Sequence, residues 1–182
     1  MTRSIRSMRH VVAGASTVLA LGATAVVLAP LAGASTSTTA APQCSTADLS
    51  AQLKAGSPGA GQRYATVVLT NISGRTCTIY GYGGLGLLGA PRQGVPTDLH
   101  RAASPAPARV TLGAGGSARS LLHWTVIPAP DENATTCQPT AATAAVTPPN
   151  QTTSLLRPWT FGPVCQHGWI EQNAYVAGSA AF

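Results

Sequence analysis

The hydrophobic and polar residues of this chain alternate over short stretches, which is the pattern of β-strands with one buried face. In residues 62–70 and again in residues 118–127, apolar side chains occupy every second position. In the second stretch the alternation directs Trp124 towards the interior and His123 outwards. The two patterns therefore predict two long strands of one core. The positions predicted to face this core are Ala65, Val67, Leu69, Leu122, Trp124 and Val126.

Shorter stretches bounded by glycine, proline or asparagine predict further strands. Pro158 restricts one of them to a sheet edge or a bulge, because proline cannot donate a ladder hydrogen bond. Residues 46–54 fit a first strand and a short helix equally well, and no long helical period follows them. The chain therefore predicts an all-β fold, an antiparallel β-sandwich of about 7–9 short strands. The further strands are predicted in residues 76–80, 110–112, 142–146, 155–161 and 169–176.

Residues 1–34 have the features of a secretory signal. The first ten residues contain three arginines and no acid, residues 11–34 carry no charge, and Ala-Gly-Ala closes the run. We predict cleavage between Ala34 and Ser35 by the general secretion route, since no twin-arginine pair occurs. The alternative is a retained membrane anchor, because the uncharged run is long enough to cross a bilayer. A lipid anchor is not expected, because no small residue directly precedes Cys44.

Composition divides the rest of the chain into a tether and one domain. Residues 35–43 are mainly Ser, Thr, Ala and Pro, and we predict a disordered tether there. Residues 44–182 have a length that suits a single core. The formal net charge is +6, but three of the eleven basic residues lie in the predicted signal. The remaining arginines are scattered along the sequence, so nucleic-acid binding is not expected.

The chain has four cysteines, and an even number in an exported domain predicts disulfides. No Cys-x-x-Cys occurs and no cysteine has histidines at zinc-site spacing, so we expect no metal and no cofactor. Four cysteines allow three connectivities. We favour the one that joins neighbours in the sequence and closes two loops of roughly 30 residues. The favoured disulfides, which would staple the sandwich, are Cys44–Cys77 and Cys137–Cys165.

The segment around Cys77 resembles a known family. Residues 61–82 contain a strand, the motif Thr-Asn-x-Ser-Gly-x-x-Cys and a Gly-Tyr turn. A later Val-x-Leu-x-x-Gly-Gly-x-Ala at residues 110–118, a Pro-Pro turn and the last two cysteines complete the pattern. This is similar to the secreted actinobacterial domain of unknown function number 4232, over nearly all of residues 44–182. The resemblance implies an exported, immunoglobulin-like β-sandwich and no activity, since none is assigned to that family.

Motifs for catalysis and nucleotide binding are weak. The glycines of residues 81–89 match G-x-G-x-x-G, but no helix pattern follows them, so bends or bulges in a strand are expected. Asp98 and His100 are predicted on a solvated loop, and no G-x-S-x-G occurs. Asp131 and Glu132 are adjacent in a proline-rich loop, a poor arrangement for two catalytic carboxylates. We therefore expect no enzymatic activity; the alternative is a small secreted hydrolase with an unrecognised site.

Aromatic residues late in the chain are the candidates for ligand contact. If they are exposed, Trp159, Trp169 and Tyr175 could stack on sugars of the cell envelope; if they are buried, they would complete the core, which we favour. The sequence thus predicts an exported, non-catalytic module with a binding or structural role. Its partner would be an envelope protein or a polysaccharide, and it would contact a membrane only if the signal stays uncleaved.

Overall fold

The computed structural model describes residues 40–182. The predicted signal, its cleavage site at Ala34 and Ser35, and the first part of the predicted tether lie outside the described residues. The described part is all-β, as predicted, with no α-helix and one single-turn 3₁₀ helix, Thr46–Asp48. Nothing helical in this part of the chain has the length and apolar character needed to cross a bilayer.

Twelve strands follow one another along the described chain. In chain order they are β1 (Leu49–Ala55), β2 (Gln62–Asn71), β3 (Cys77–Tyr80), β4 (Gly84–Leu88), β5 (Gly94–Val95), β6 (Asp98–Arg101), β7 (Arg109–Leu112), β8 (Ser117–Thr125), β9 (Thr143–Thr147), β10 (Leu155–Pro158), β11 (Trp169–Gln172) and β12 (Val176–Ala177). This exceeds the predicted number of about 7–9. The excess comes mainly from the short β4, β5 and β6, in a segment where glycine, proline and polar residues mask the alternation.

The strands form three sheets. The largest has the order β1-β2-β8-β11-β6, and β12 also pairs with β8. The second has the order β10-β9-β4-β5, and β3 pairs with β7 in the third. The neighbours are antiparallel, as predicted, except for β6 and β11, which run parallel. Parallel strands need a long connection, and the four strands between β6 and β11 in the chain lie within it. The immunoglobulin-like arrangement stays a prediction with which these sheets are compatible.

Residues from all three sheets share one core. The indole of Trp124 is fully buried and contacts the rings of Trp159 and Phe161, with centroids 5.1 and 6.2 Å away. Its N–H donates to the carbonyl of Pro163 at 3.1 Å, which satisfies the one polar atom of the side chain. The other predicted core positions of β2 and β8 are buried, and Val126 packs against the core while partly buried. The alternation is therefore confirmed in β8, whereas in β2 Thr66 and Val68 of the opposite face are buried as well.

Both predicted disulfides are present, so the sequential connectivity is confirmed. The Cys44–Cys77 bond joins the start of the domain to β3. Pro42 and Gln43 already run beside this strand, because the N–H of Thr78 donates to the carbonyl of Pro42 at 2.8 Å and Gln43 forms a β-bridge with Thr78. Pro42 and Gln43, which belong to the segment predicted as tether, therefore pair with the domain.

The start of β1 shows which structure residues 46–54 adopt. Residues 46–54, which fitted helix and strand equally, make one 3₁₀ turn and then a strand. The Asp48 carboxylate at this turn accepts hydrogen bonds from the N–H and hydroxyl of Ser45, at 2.8 and 2.6 Å. It also forms an ion pair with Arg75 at 2.8 Å. The hydrogen bonds from Ser45, and then the one from Arg75, lower the pKa of Asp48 to about 2.

Pro158 ends β10, which is an edge strand as predicted.

Candidate functional site

Four polar and aromatic residues lie opposite one another across the largest sheet. Tyr64 of β2 pairs in register with His123 of β8, and His123 pairs with Glu171 of β11. Glu171 in turn lies in register with His100 of β6. Since Trp124, the chain neighbour of His123, faces the core, alternation places this set on the outer face of the sheet.

The rings on this face contact one another. The rings of Tyr64 and His123 are stacked, with centroids 4.8 Å apart and planes at 14°. Trp169, two residues before Glu171, meets His123 edge-on at 6.1 Å and 89°. His100 also contacts Trp169, with ring centroids 5.5 Å apart and planes at 31°. We call this set of four rings, Tyr64, His123, Trp169 and His100, the aromatic row.

Carboxylate and amide groups flank the aromatic row. The Nε2 atom of His123 is 2.7 Å from Oε1 of Gln62, and its Nδ1 atom is 3.7 Å from Oε2 of Glu171. The Nε2 atom of His100 is 2.8 Å from Oδ2 of Asp98. These partners fix the orientation of the two imidazoles, because each ring is held at its nitrogen as well as at its face.

The aromatic row is open to solvent. The side chains of His123 and His100 are 27% and 47% exposed, and those of Glu171 and Asp98 are 37% and 64% exposed. Partly exposed rings next to hydrogen-bonding groups suit a ligand that is itself amphipathic, such as a saccharide. The row spans four strands, so it offers an extended, nearly continuous surface instead of a closed pocket.

The chain covers the neighbouring part of the same sheet face with its own residues 179–182. Arg119 of β8 donates to two carbonyls of this segment at 3.2 and 3.3 Å, and its guanidinium lies 4.2 Å from the ring centroid of Phe182. The N–H of Phe182 donates to the hydroxyl of Thr66 at 3.1 Å. This cover accounts for the burial of Thr66, a position that the alternation had placed outwards. The aromatic row lies outside these contacts.

The structure corrects the predicted set of stacking residues. Trp159 is 4% exposed and Tyr175 is 1% exposed, so neither can stack on a ligand, and both complete the core as the favoured interpretation held. Their burial follows from their positions, since Trp159 packs on Trp124 and Phe161 and Tyr175 lies against Gly83. Only Trp169 of the three is partly exposed and belongs to the aromatic row.

The prediction that Asp98 and His100 lie on a loop was wrong, because both residues belong to β6. This strand has four residues, and it forms because β11 offers it a parallel partner far along the chain. Tyr64 was not singled out for function at all. Its outward position is readable from the alternation of β2, but its stacking on His123 depends on the register between β2 and β8.

A comparison with known families decides what this chain is related to. A family model described as a domain of unknown function (DUF4232) matches residues 44–175. The chain belongs to this family. No curated protein and no solved structure matches it significantly. The matched range contains every residue of the aromatic row and both disulfides of the DUF4232 domain.

A second cluster of the DUF4232 domain surrounds Glu132. Its side chain is 2% exposed, and its carboxylate accepts hydrogen bonds from the N–H groups of Ala129, Gln166 and His167 and from the amide of Gln138, at 2.6 to 2.8 Å. Burial alone would raise its pKa, but these four donors offset burial and lower the pKa of Glu132 to about 2. The carboxylate is thus an internal anchor and not a free acid or base.

The Glu132 cluster also contains the one group of metal-ligating side chains within mutual reach in residues 40–182, namely Glu132 with Cys137 and Cys165. The two sulfur atoms are bonded to each other, and thiolates are the form in which cysteine binds metals. The carboxylate oxygens are already engaged by four donors. The residues present therefore fit a structural anchor beside a disulfide and not a metal centre.

Proposed function

We propose that this member of the DUF4232 family is an exported, non-catalytic module that binds a saccharide chain of the cell envelope through the aromatic row. The observation that carries the proposal is the set of four rings, stacked and edge-on, across β2, β8, β11 and β6. Ring faces can lie on the apolar side of sugar rings, while the carboxylates of Glu171 and Asp98 can accept hydrogen bonds from sugar hydroxyls.

Two features support export. The features of residues 1–34 are those of a secretory signal. The two disulfides of the domain are consistent with an extracellular location, because disulfides persist in oxidising compartments. Charged residues are only 9% of the chain, so the polar surface consists mainly of hydroxyl and amide groups. Such a surface does not attract polyanions such as nucleic acid.

The polar residues that could do chemistry support a non-catalytic role. His100 pairs with Asp98 in a surface position next to Trp169, which gives a base and its orienting acid but no nucleophile in contact with them among the described residues. Glu132, the better buried carboxylate, is engaged by four donors.

The alternative function, a small hydrolase, predicts turnover of esters or glycosides, and this turnover should be lost in Asp98→Asn.

Affinity electrophoresis tests the binding proposal. The oxidised protein is run in gels that contain a neutral glucan, galactan, mannan or arabinan. We expect at least one polysaccharide to retard it, and Trp169→Ala and Tyr64→Ala to weaken that affinity about tenfold or more, since aromatic anchors often contribute about 2 kcal/mol. Ile72→Ala is the control, because Ile72 is 64% exposed and lies in the turn after β2, away from the row.

The control separates specific from general effects of exposed apolar residues. Equal affinity of the wild type and of Trp169→Ala would show that the aromatic row is not the binding surface. Absence of retardation by every polysaccharide would contradict saccharide binding and favour the other predicted partner, an envelope protein.

A further inference from the structure

A groove lies beside β3, and none of the residues that line it belongs to the aromatic row. It consists of two adjoining clefts of about 180 and 130 Å³, and the side chains of Tyr80 and Asn150 line both of them. Tyr82, Arg101 and Pro107 line the larger cleft, and Gln43, Thr78 and Arg109 line the smaller one. Each cleft is smaller than the usual site for a drug-sized molecule, about 300–1,000 Å³, so each fits one ring or one ionic group.

The walls of this tyrosine–arginine groove are fixed by the start of the domain. The Cys44–Cys77 disulfide holds residues 42–44 along β3, and the N–H of Cys44 donates to the carbonyl of Thr78 at 2.9 Å. On the other side, the amide of Gln43 donates to the carbonyl of Pro149 at 3.1 Å and so holds the turn that carries Asn150. A groove formed in advance loses little conformational entropy when a ligand enters.

Aromatic and cationic groups face the ligand space. Tyr80 is 50% exposed, although it follows three buried residues of β3. Tyr82 is anchored by a hydrogen bond from its hydroxyl to the carbonyl of Ala102, and the guanidinium of Arg101 lies 5.3 Å from its ring centroid. The two tyrosines therefore present ring faces or edges next to a fixed positive charge.

The charged side chains that line the groove are all positive. Arg101 and Arg109 line it, and no carboxylate is among the lining residues. Neither arginine forms a salt bridge within residues 40–182, in contrast to Arg75, which pairs with Asp48. Arg109 donates to the hydroxyl of Thr78 at 3.3 Å, which leaves most of its donors available. Exposed arginines without an acidic partner attract anions, and their planar fork of donors suits carboxylate and phosphate.

We propose that the tyrosine–arginine groove binds a saccharide that bears a carboxylate or a phosphate group. Arg109 of the smaller cleft binds the anionic group, while Tyr80 and Asn150, which line both clefts, pack on the sugar ring and hydrogen-bond a hydroxyl. This site is separate from the aromatic row. His100 and Arg101 are chain neighbours on β6, and their side chains point to opposite faces of the strand, His100 to Trp169 and Arg101 to Tyr82.

An NMR titration of the full, oxidised protein tests the groove. The probes are sodium glucuronate and glucose 1-phosphate, with glucose and inorganic phosphate as the ring and the anion alone. We expect saturable shifts of the backbone signals of Tyr80, Arg109 and Asn150 with the two charged sugars, and weaker binding of glucose and of phosphate. Arg109→Gln and Tyr80→Ala should each weaken glucuronate binding about tenfold. The same spectra show whether each variant is folded.

Matched controls make the result specific. Arg92→Gln removes the same charge from an exposed position outside the groove and should leave glucuronate affinity unchanged. Trp169→Ala should also leave it unchanged, so this test stands or fails independently of the aromatic row. Equal weakening by Arg92→Gln and Arg109→Gln would overturn the proposal, because it would indicate attraction to the net charge alone. Binding of glucose or phosphate as tight as that of glucuronate, or no saturable shift in the groove, would also overturn it.

Discussion

The backbone around Glu132 shows why a single carboxylate matters to this fold. Gln166 and His167 have positive φ values of 56° and 61°, and Gly168 follows at 87°. The left-handed region costs a residue with a side chain about 1–2 kcal/mol. In return, the N–H groups of Gln166 and His167 both point at the Glu132 carboxylate, at 2.8 and 2.6 Å. The loop is an anion-binding concavity, and the chain supplies its own anion.

Glu132→Gln should lower the free energy of unfolding at neutral pH by about 2–3 kcal/mol, because the amide cannot accept from all four donors. Asp131→Asn is the control, since Asp131 is 73% exposed and surface changes usually stay within about 0.5 kcal/mol. Urea unfolding of the two variants measures the difference. Equal stability of Glu132→Gln and the wild type would show that the carboxylate does not anchor the loop.

The low pKa values of Asp48 and Glu132 predict the direction of the pH dependence. Both carboxyls have a pKa of about 2 in the folded protein, below their ordinary values of 3.8 and 4.5. Their contribution to stability is therefore complete above about pH 4.5 and is lost as the pH falls towards 2. Unfolding curves from pH 7 to pH 2 should show this loss, and Glu132→Gln and Asp48→Asn should each flatten it. A stability that is independent of pH below 4.5 would contradict this assignment.

Single positions were predictable where the reason is local. Trp124 inward and His123 outward follow from the period of β8, and the full burial of Trp124 next to a partly exposed His123 confirms it. The anchoring of Glu132 was not predictable, because two of its four donors, the N–H groups of Gln166 and His167, come from more than thirty positions away in the chain. The exposure of Trp169 and the burial of Trp159 depend likewise on which distant strand covers each ring, and the two sequences around them give no local signal for it.

At the scale of elements, the long strands were readable and the short ones were not. β2 and β8 carry a clear alternation, and nine consecutive residue pairs fix their register. β6 has four residues and exists through its parallel pairing with β11. Since alternation needs several residues to be recognised, a strand of two to four residues takes its structure from its neighbours. The candidate site spans both kinds of strand, and from the sequence only the outward position of His123 and the candidate Trp169 could be named, not their contacts with Tyr64 and His100.

The two disulfides should stabilise different elements. Each closes a loop of comparable length, with sequence separations of 33 and 28, so removal of either by a double Cys→Ser change should cost about 3–4 kcal/mol. Hydrogen exchange distinguishes them. Loss of Cys137–Cys165 should speed exchange at the backbone N–H groups of Gln166 and His167, and loss of Cys44–Cys77 should speed exchange along β3. Uniform acceleration in both variants would contradict local stabilisation.

At the scale of the whole molecule, one core supports two outward surfaces. The three sheets meet in a cluster around Trp124, and the aromatic row lies on the opposite face of the strand that carries it. The all-β class and the family were predictable, since the strand pattern and the Thr-Asn-x-Ser-Gly-x-x-Cys motif are properties of the sequence. The binding surfaces were not, because they arise from register between strands that are remote in the chain.

The indole N–H signals of the three tryptophans test the central claim most directly. In a titration with the polysaccharide fragment that binds most tightly in electrophoresis, the aromatic row predicts a large shift of the Trp169 signal. The signals of Trp124 and Trp159 should stay in place, because their N–H groups donate to the carbonyls of Pro163 and Gly162 inside the fold. Saturable binding without a shift of the Trp169 signal would contradict the account.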